Sequence, residues 1–357
     1  MTGTRQTIGF GGLDQTLLQR NQSDLQSFGL TSSFELGKFF PTTYGAVHIP
    51  LYASYSQQVN TPRYDPLSPD LPLSALTGLY NNNLVKQDSV LQAAQDFTAR
   101  KNLNFTGVRK DKNPKQKGKP KIYDLDNFTA TYVYSEIDRH NITSIYDNQK
   151  IYSGILQYTY NIDKPKAFEP FNKIHSKALK LISDFNLFFI PQSYSFTAKI
   201  DRTFSETLYR NTDSYLTLNL PLYNKTFFFT RIYNVKYNIT KALRLTYSAT
   251  GTSRIDEPDG LIDSAYKQQV IWNNLLRGGT LTDFTQSTGV SYDVPINKLP
   301  YLDFVTVSTG YTGNYEWKAA PPIALNLGNL IQNSQTITIN GNLNFASLYN
   351  KVPRQGR

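Results

Sequence analysis

The 357-residue chain contains no cysteine, which excludes a disulfide framework, a thiolate metal site and a thiol nucleophile. It has no window near the roughly 18 uninterrupted apolar residues of a membrane-spanning helix. Its mean hydropathy of −0.43 is likewise too polar for a helical membrane protein. Barrel strands escape that test, because alternation dilutes their hydropathy. Histidine is scarce: His48, His140 and His175 stand in no metal-ligand spacing and read as surface or lumen residues. No His-Glu-x-x-His, Gly-x-Ser-x-Gly or Gly-Lys-Ser/Thr pattern occurs, so the signatures of zinc hydrolases, serine hydrolases and phosphate loops are missing. Asp256, Glu257 and Asp259 lack the full spacing of a calcium loop and read as a solvated turn. No enzymatic activity, metal or cofactor is expected. The N-terminal residues show no apolar signal-peptide core, so the expectation is a cytoplasmic chain or an internal piece of a longer one.

What is abundant is aromatic and basic. There are 25 Tyr and 21 Phe, and the formal net charge is +10. Tyr and Phe suit the interface girdles of a membrane barrel, although soluble β-domains are aromatic too. The basic run 110–121 lacks interleaved aromatics for base stacking, so it reads as a solvated loop and no nucleic-acid partner is expected. Lys38, Lys164, Lys166, Lys173, Lys177, Lys180, Lys241, Lys298 and Lys351 fall on one expected rim. There they either meet anionic head groups or an acidic partner, or keep the turns soluble.

The most informative stretch is Phe227 to Thr250. Phe227, Phe229, Arg231, Tyr233, Val235, Tyr237 and Ile239 alternate with Thr230, Asn234, Lys236, Asn238 and Thr240, with Phe228 and Ile232 as exceptions. After a break at Thr240-Lys241-Ala242, Leu243, Leu245, Tyr247 and Ala249 alternate with Arg244, Thr246, Ser248 and Thr250. A period of two means an antiparallel hairpin with two unlike faces. Each arm is long enough to cross a bilayer, which needs about 9–11 tilted residues. A soluble β-sandwich gives the same alternation, so one hairpin does not decide.

About eleven strands are expected, near 27–36, 44–58, 98–109, 127–137, 151–160, 185–201, 226–238, 242–252, 284–294, 301–316 and 335–347. Followed alternately, their connections sort into compact links (37–43, 239–241, 295–300, 348–353) and long loops (59–97, 202–225, 253–283, 317–334). The links 110–125 and 161–184 are exceptions on the compact side. Short turns on one rim and long loops on the other are the layout of outer-membrane barrels. Two long loops hold expected helices: a turn or two capped by Asp88 and Ser89, and Ala265 to Leu276 capped by Ser264 and stopped by Gly278-Gly279.

Short segments then resemble the SprA family in order along almost the whole chain. They are Gly9–Asp14 (GFGGLD), Glu35–Pro41 (ELGKFFP), Tyr64–Pro66 (YDP), Ala94–Thr98 (AQDFT), Asn104–Arg109 (NFTGVR) and Leu299–Phe304 (LPYLDF). Further on come Gly313–Trp317 (GNYEW), Ala319–Pro321 (AAP), Ile331–Ser334 (IQNS), Asn342–Phe345 (NLNF) and Leu348–Pro353 (LYNKVP). The tail Arg354–Arg357 departs from the pattern. SprA proteins are the gliding-motility and type IX secretion barrels of Bacteroidota, several times longer than this sequence. The resemblance therefore implies an internal fragment of an outer-membrane translocon that passes folded cargo proteins to the cell surface. It also implies contacts with a PorV-type shuttle barrel and a plug protein, and it brings no catalytic residue.

The expected fold is all-β: an antiparallel transmembrane β-barrel wall segment spanning 1–357. About eleven strands cannot close such a barrel, so the fragment is expected to be a curved open sheet with two free edges and long loops carrying short helices. Tyr233, Val235, Tyr237, Ile239, Leu243, Leu245 and Tyr247 are expected to face the outer-membrane lipid. Asn234, Lys236, Asn238, Arg244, Thr246 and Ser248 are expected to face a water-filled lumen. The lipid belt is expected to start at the 239–241 turn and end near Arg231, with Phe227 and Phe229 above it. Rival readings are a soluble or surface β-rich glycan-binding module and a TonB-dependent-type receptor barrel.

Overall fold

Alternating sequence of this kind closes backbone hydrogen bonds between neighbouring hairpins, and the computed structural model shows one continuous ladder of them. It describes residues 1–9, 22–41, 46–111, 121–162, 165–174, 179–211, 219–299 and 301–349. The strands are β1 (Thr2–Ile8), β2 (Ser23–Glu35), β3 (Val47–His48), β4 (Pro50–Pro62), β5 (Tyr64–Asp65), β6 (Ser68–Pro72), β7 (Asp96–Lys110) and β8 (Phe128–His140). They continue as β9 (Ser144–Asn161), β10 (Ser193–Tyr209), β11 (Leu222–Asn238), β12 (Leu243–Arg254), β13 (Thr280–Val294), β14 (Val305–Lys318) and β15 (Leu330–Leu343). The main sheet has 13 strands in the order β1-β2-β4-β7-β8-β9-β10-β11-β12-β13-β14-β15, with β3 pairing β7. Every pairing is antiparallel. The sheet is open: β1 and β15 end it and do not meet.

Several expectations need correction. Thr2–Ile8 falls outside the expected strands, yet it pairs with β2 from Thr2↔Gly29 to Ile8↔Ser23; its alternation is polar and gives no apolar signal. Residues 185–192 were expected to open a strand, but β10 starts at Ser193. A short apolar run does not by itself distinguish a strand from other buried or interfacial chain. Strands extend further toward the long-loop rim than expected. β10 runs to Tyr209 through Asp201, Arg202 and Glu206, whose charges suggest loop. β8 and β9 are joined by residues 141–143 alone, where Asn141 Oδ1 accepts from the amides of Thr143 and Ser144 at 2.9 Å. That turn is a tight one on the rim otherwise rich in excursions.

The excursions hold α1 (Leu73–Gly78), α2 (Leu84–Ala94) and α4 (Ala265–Leu276), with α3 (Lys180–Ser183) on the opposite rim and α5 (Phe345–Tyr349) after β15. For α2 the cap is Asn83, whose side chain accepts from Lys86 N, in place of Asp88 and Ser89, which lie inside the helix. Ser264 caps α4 by accepting from Lys267 N. Gly278 (φ 83°) and Gly279 (φ 69°) stop it in the left-handed conformation, and Gly279 N closes on Asn274 O at 3.0 Å, as a C-terminal glycine cap does. Among the described residues no helix is long and apolar enough to cross a membrane.

Candidate functional site

The candidate surface is the sheet itself, and its register decides what each face presents. Tyr233 pairs with Ala249, Val235 with Tyr247 and Tyr237 with Leu245. Ile239 and Leu243 meet at the turn, where Ile239 N donates to Leu243 O at 2.9 Å. These residues share one side. Asn234 pairs with Ser248, Lys236 with Thr246 and Asn238 with Arg244, on the other. Thr240 Oγ1 fixes the turn by accepting from Ala242 N and Leu243 N.

Carried across the sheet by its pairings, the first side is apolar over a limited height. On β2 the apolar stretch runs from Phe28 to Phe34, on β8 from Phe128 to Tyr134, on β10 from Tyr194 to Ile200, on β12 from Leu243 to Ala249 and on β15 from Ile337 to Leu343. Charges begin above it: Lys101 bonds Asp138 at 3.1 Å and Glu136 at 3.5 Å, and Arg202 and Arg231 occupy the same level or higher on their strands. The opposite side is dominated by Thr, Ser, Asn and Gln. Its charges are largely matched, as in Arg244–Asp293 at 2.8 Å and Lys199–Asp201 at 2.9 Å.

The apolar band does not run perpendicular to the strands. Phe34, the lowest apolar residue on this side of β2, pairs with Leu51, and the row continues through Phe105, Tyr132, Gly154, Ile200 and Phe229 to Ser253. The row enters at the bottom of the band and has left its top by β12. On β15 the lowest apolar residue is Leu343, paired with Val305, seven same-side positions below that row. The drift is about 1.4 residues per strand, a rise of about 4.6 Å against a spacing of about 4.8 Å, so the strands cross the band at about 44° from its normal.

The described residues cover almost nothing of either side. Among the described residues the buried apolar side chains are few, among them Leu73, Phe188, Phe227 and Ile255, and these sit under excursions rather than between sheets. On the band Phe34 is 57% exposed, Leu156 47% and Ile339 73%. Leaving such a side chain in water forfeits about 1.5–3 kcal/mol. Summed over Phe28, Leu30, Phe34, Leu103, Leu156, Ile337 and Ile339, the loss is on the order of 10 kcal/mol, comparable to the whole net stability of a domain.

Above the band the 255–279 excursion is strapped to the sheet. Arg202 forms a two-pronged pair with Glu257 at 2.5 and 2.9 Å, and Lys225 Nζ donates to the carbonyls of Pro258 and Gly260. Asp256 instead pairs with Arg254 at 2.7 Å, so the acidic residues of this loop are drawn to separate cations. Arg231 lies where the band ends on β11: its guanidinium stacks over the Phe229 ring at 5.3 Å and donates to Ser253 Oγ at 2.9 Å. Phe227 is buried beneath the strap, where its carbonyl accepts from Ile255 N at 2.8 Å. The strap residues Arg202 and Lys225 escaped sequence reasoning, because nothing local ties them to a loop about 30–55 residues further on.

Of the histidines, His48 pairs with Asp111 at 2.9 Å and His140 stacks on Phe97 at 4.7 Å; His175 lies outside the described residues. So do most of the basic run 110–121 and Lys164, Lys177 and Lys351. On the lower rim, Lys241 pairs with Glu169 and Lys298 with Asp184. The Lys298 ammonium holds the Asp184 carboxyl below its ordinary pKa.

These features define a class: a large, open, antiparallel β-sheet protein with two unlike faces and, among the described residues, no second sheet stacked on either, compatible with an outer-membrane protein. Residues 1–76 match the family model SprA_N, described as a motility related/secretion protein, and this supports a SprA-related motility and secretion protein. The match spans β1 to β6 and the start of α1, including the Glu35–Pro41 and Tyr64–Pro66 segments. No protein of curated function matches the chain.

Proposed function

We propose that the chain is part of the wall of the outer-membrane translocon barrel of the type IX secretion system, passing folded cargo proteins to the cell surface and supporting gliding motility. The observation that carries this reading is the slanted band. Lipid offers a slab of fixed height, and strands of a barrel cross it inclined at about 35–45°. A band that drifts along the register by about 1.4 residues per strand is what such a slab imprints. A β-sandwich would instead bury one side of the sheet against a second sheet, and the described residues hold no such layer.

On this reading Tyr233, Val235, Tyr237, Ile239, Leu243, Leu245 and Tyr247 face lipid, and Asn234, Lys236, Asn238, Arg244, Thr246 and Ser248 face the aqueous passage. The hydroxyls and amides on that side stay hydrated and present no strong field of one sign to a passing protein. The action is passage without bond chemistry, so no catalytic group or cofactor is required. The first partner is the rest of the same barrel. β15 is a 14-residue edge with no charge and no proline, devices by which a solvent-facing edge is ordinarily protected, so a further strand pairs with it. By family likeness, a PorV-type shuttle barrel and a plug protein dock on the completed wall, and cargo passes through it.

Heat-modifiable migration on SDS gels of the complete barrel containing this chain, extracted in detergent, is the expected result. A monodisperse chain in buffer without detergent contradicts the proposal.

A further inference from the structure

The connection between β9 and β10 is held firmly and yet leaves its apolar side chains in the open. Asn186 Oδ1 accepts from Lys241 N at 2.6 Å, and Phe188 N donates to Ile239 O at 2.9 Å. The Tyr237 hydroxyl donates to Phe188 O at 2.7 Å. Glu169 pairs with Lys241 at 2.7 Å and Asp184 with Lys298 at 3.0 Å. The segment thus runs along the lower rim beneath the β11–β12 turn as far as the β13–β14 turn. Two aromatic pairs lie on it, Phe168–Phe189 at 5.8 Å and Phe171–Phe185 at 6.3 Å. All four rings remain exposed, Phe189 at 68%, and Leu181 and Ile182 project from α3. Six large apolar side chains on one tethered segment make a patch of the kind that marks an interaction site.

What covers the patch is indicated by where it begins and by its charge. Tyr237 belongs to the apolar side of the sheet, and its hydroxyl holds Phe188, so the patch continues the band and does not lie on the polar side. The acidic residues described on the segment, Glu169 and Asp184, are each neutralised by a lysine from another turn. Lys166 and Lys180 are exposed on it. Aromatic and aliphatic side chains beside outward lysines, at the edge of a hydrocarbon-facing surface, are the composition of a segment that lies in a membrane interface.

The geometry points to residues 165–174 and 179–192 as an interfacial foot. It rests in the head-group and upper acyl region of the leaflet at the lower rim, with the phenylalanines, Leu181 and Ile182 among the acyl chains and Lys166 and Lys180 toward lipid phosphates. This rests on the reading of the band as lipid-facing, and the experiment separates the two.

The full chain carrying Phe189→Cys, Ile182→Cys or, as a control, Val235→Cys is labelled with bimane in vesicles of phosphatidylethanolamine and phosphatidylglycerol. The probes at 189 and 182 are expected to lose at least half their emission to lipids brominated near the head group. They should lose less to lipids brominated deep in the chain, and should be shielded from aqueous iodide. The probe at 235 is expected to respond most to the deep bromines. If 235 responds so while 189 and 182 are quenched by iodide like free dye, the foot is overturned and the barrel stands. Shielding of 189 and 182 from both quenchers also overturns it, since a protein then covers the patch. If 235 itself escapes the bromines, the lipid-facing reading falls and the foot falls with it.

Discussion

Arg231 donates to the hydroxyl of Ser253 at 2.9 Å, one same-side position above its own pairing partner Gly251. The bond turns the guanidinium away from Tyr233 and toward the strap, where Gly278 lies alongside it. A long cationic side chain rooted at the edge of an apolar zone relieves its charge in this way. Ser253 is fully buried, so Arg231→Leu leaves a buried hydroxyl without that donor. The expected loss is about 1–3 kcal/mol, read as a lower urea midpoint in detergent, with Arg231→Lys recovering part of it. A spin label at 231 should report interfacial depth; a midplane depth contradicts the placement of the belt.

The strap depends on Glu257, whose side chain is 4% exposed against 23% for Arg202. Removing one member of a buried pair strands the other. Glu257→Ala is expected to cost about 2–3 kcal/mol, less than a fully buried pair because Arg202 keeps some solvent contact. Limited proteolysis within 255–279 should become several-fold faster while cleavage elsewhere is unchanged.

Gly279 ends α4 with φ 69°, and a Cβ there would lie 2.5 Å from Ile255 Cδ1 and 2.6 Å from Arg254 O. Left-handed backbone alone costs an ordinary residue about 1–2 kcal/mol, and the contact with Arg254 O is to backbone that cannot swing aside. Gly279→Ala should therefore loosen the same excursion, and Gly260→Ala, where nothing lies within 4 Å, should do so less. Hydrogen exchange over residues 255–279 checks the ranking.

The Asp184–Lys298 tether gives a pH dependence of definite sign. Lys298 depresses the folded-state pKa of Asp184 below the ordinary 3.8. Its contribution is therefore fully present above the unfolded-state value and is lost only as pH falls through the lower folded value. Both partners are partly exposed, so the effect is small and screened by salt. Mobility of a label at 181 should stay constant from neutral pH to about 4 and rise below it, and Asp184→Asn should raise it at every pH.

The parts legible in the sequence are those where chemistry is local. The 227–250 hairpin is read correctly because its alternation and its Thr240 turn are both written in adjacent residues. α4 is read to the residue from Ser264 and the paired glycines. The Thr2–Ile8 strand was hidden because pairing with β2, not apolar alternation, makes it a strand. The upper ends of β10 and β11 were hidden because Arg202 and Lys225 look like loop charges until Glu257 and the 258–260 carbonyls arrive from the strap. Phe185 to Ile190 looked like a strand because an apolar run carries no sign of which solvent it meets. The slant of the band is invisible in any one strand; it exists only in the register.

Cysteine scanning of residues 233–239 and 243–248 tests the central claim directly, since the sequence has no cysteine of its own. In native membranes, positions 234, 236, 238, 244, 246 and 248 should react with a membrane-impermeant maleimide, whereas 233, 235, 237, 239, 243, 245 and 247 should resist it and be quenched by brominated lipid. Equal reaction on both sides, or reaction of the tyrosine and leucine positions with protection of the others, contradicts the account.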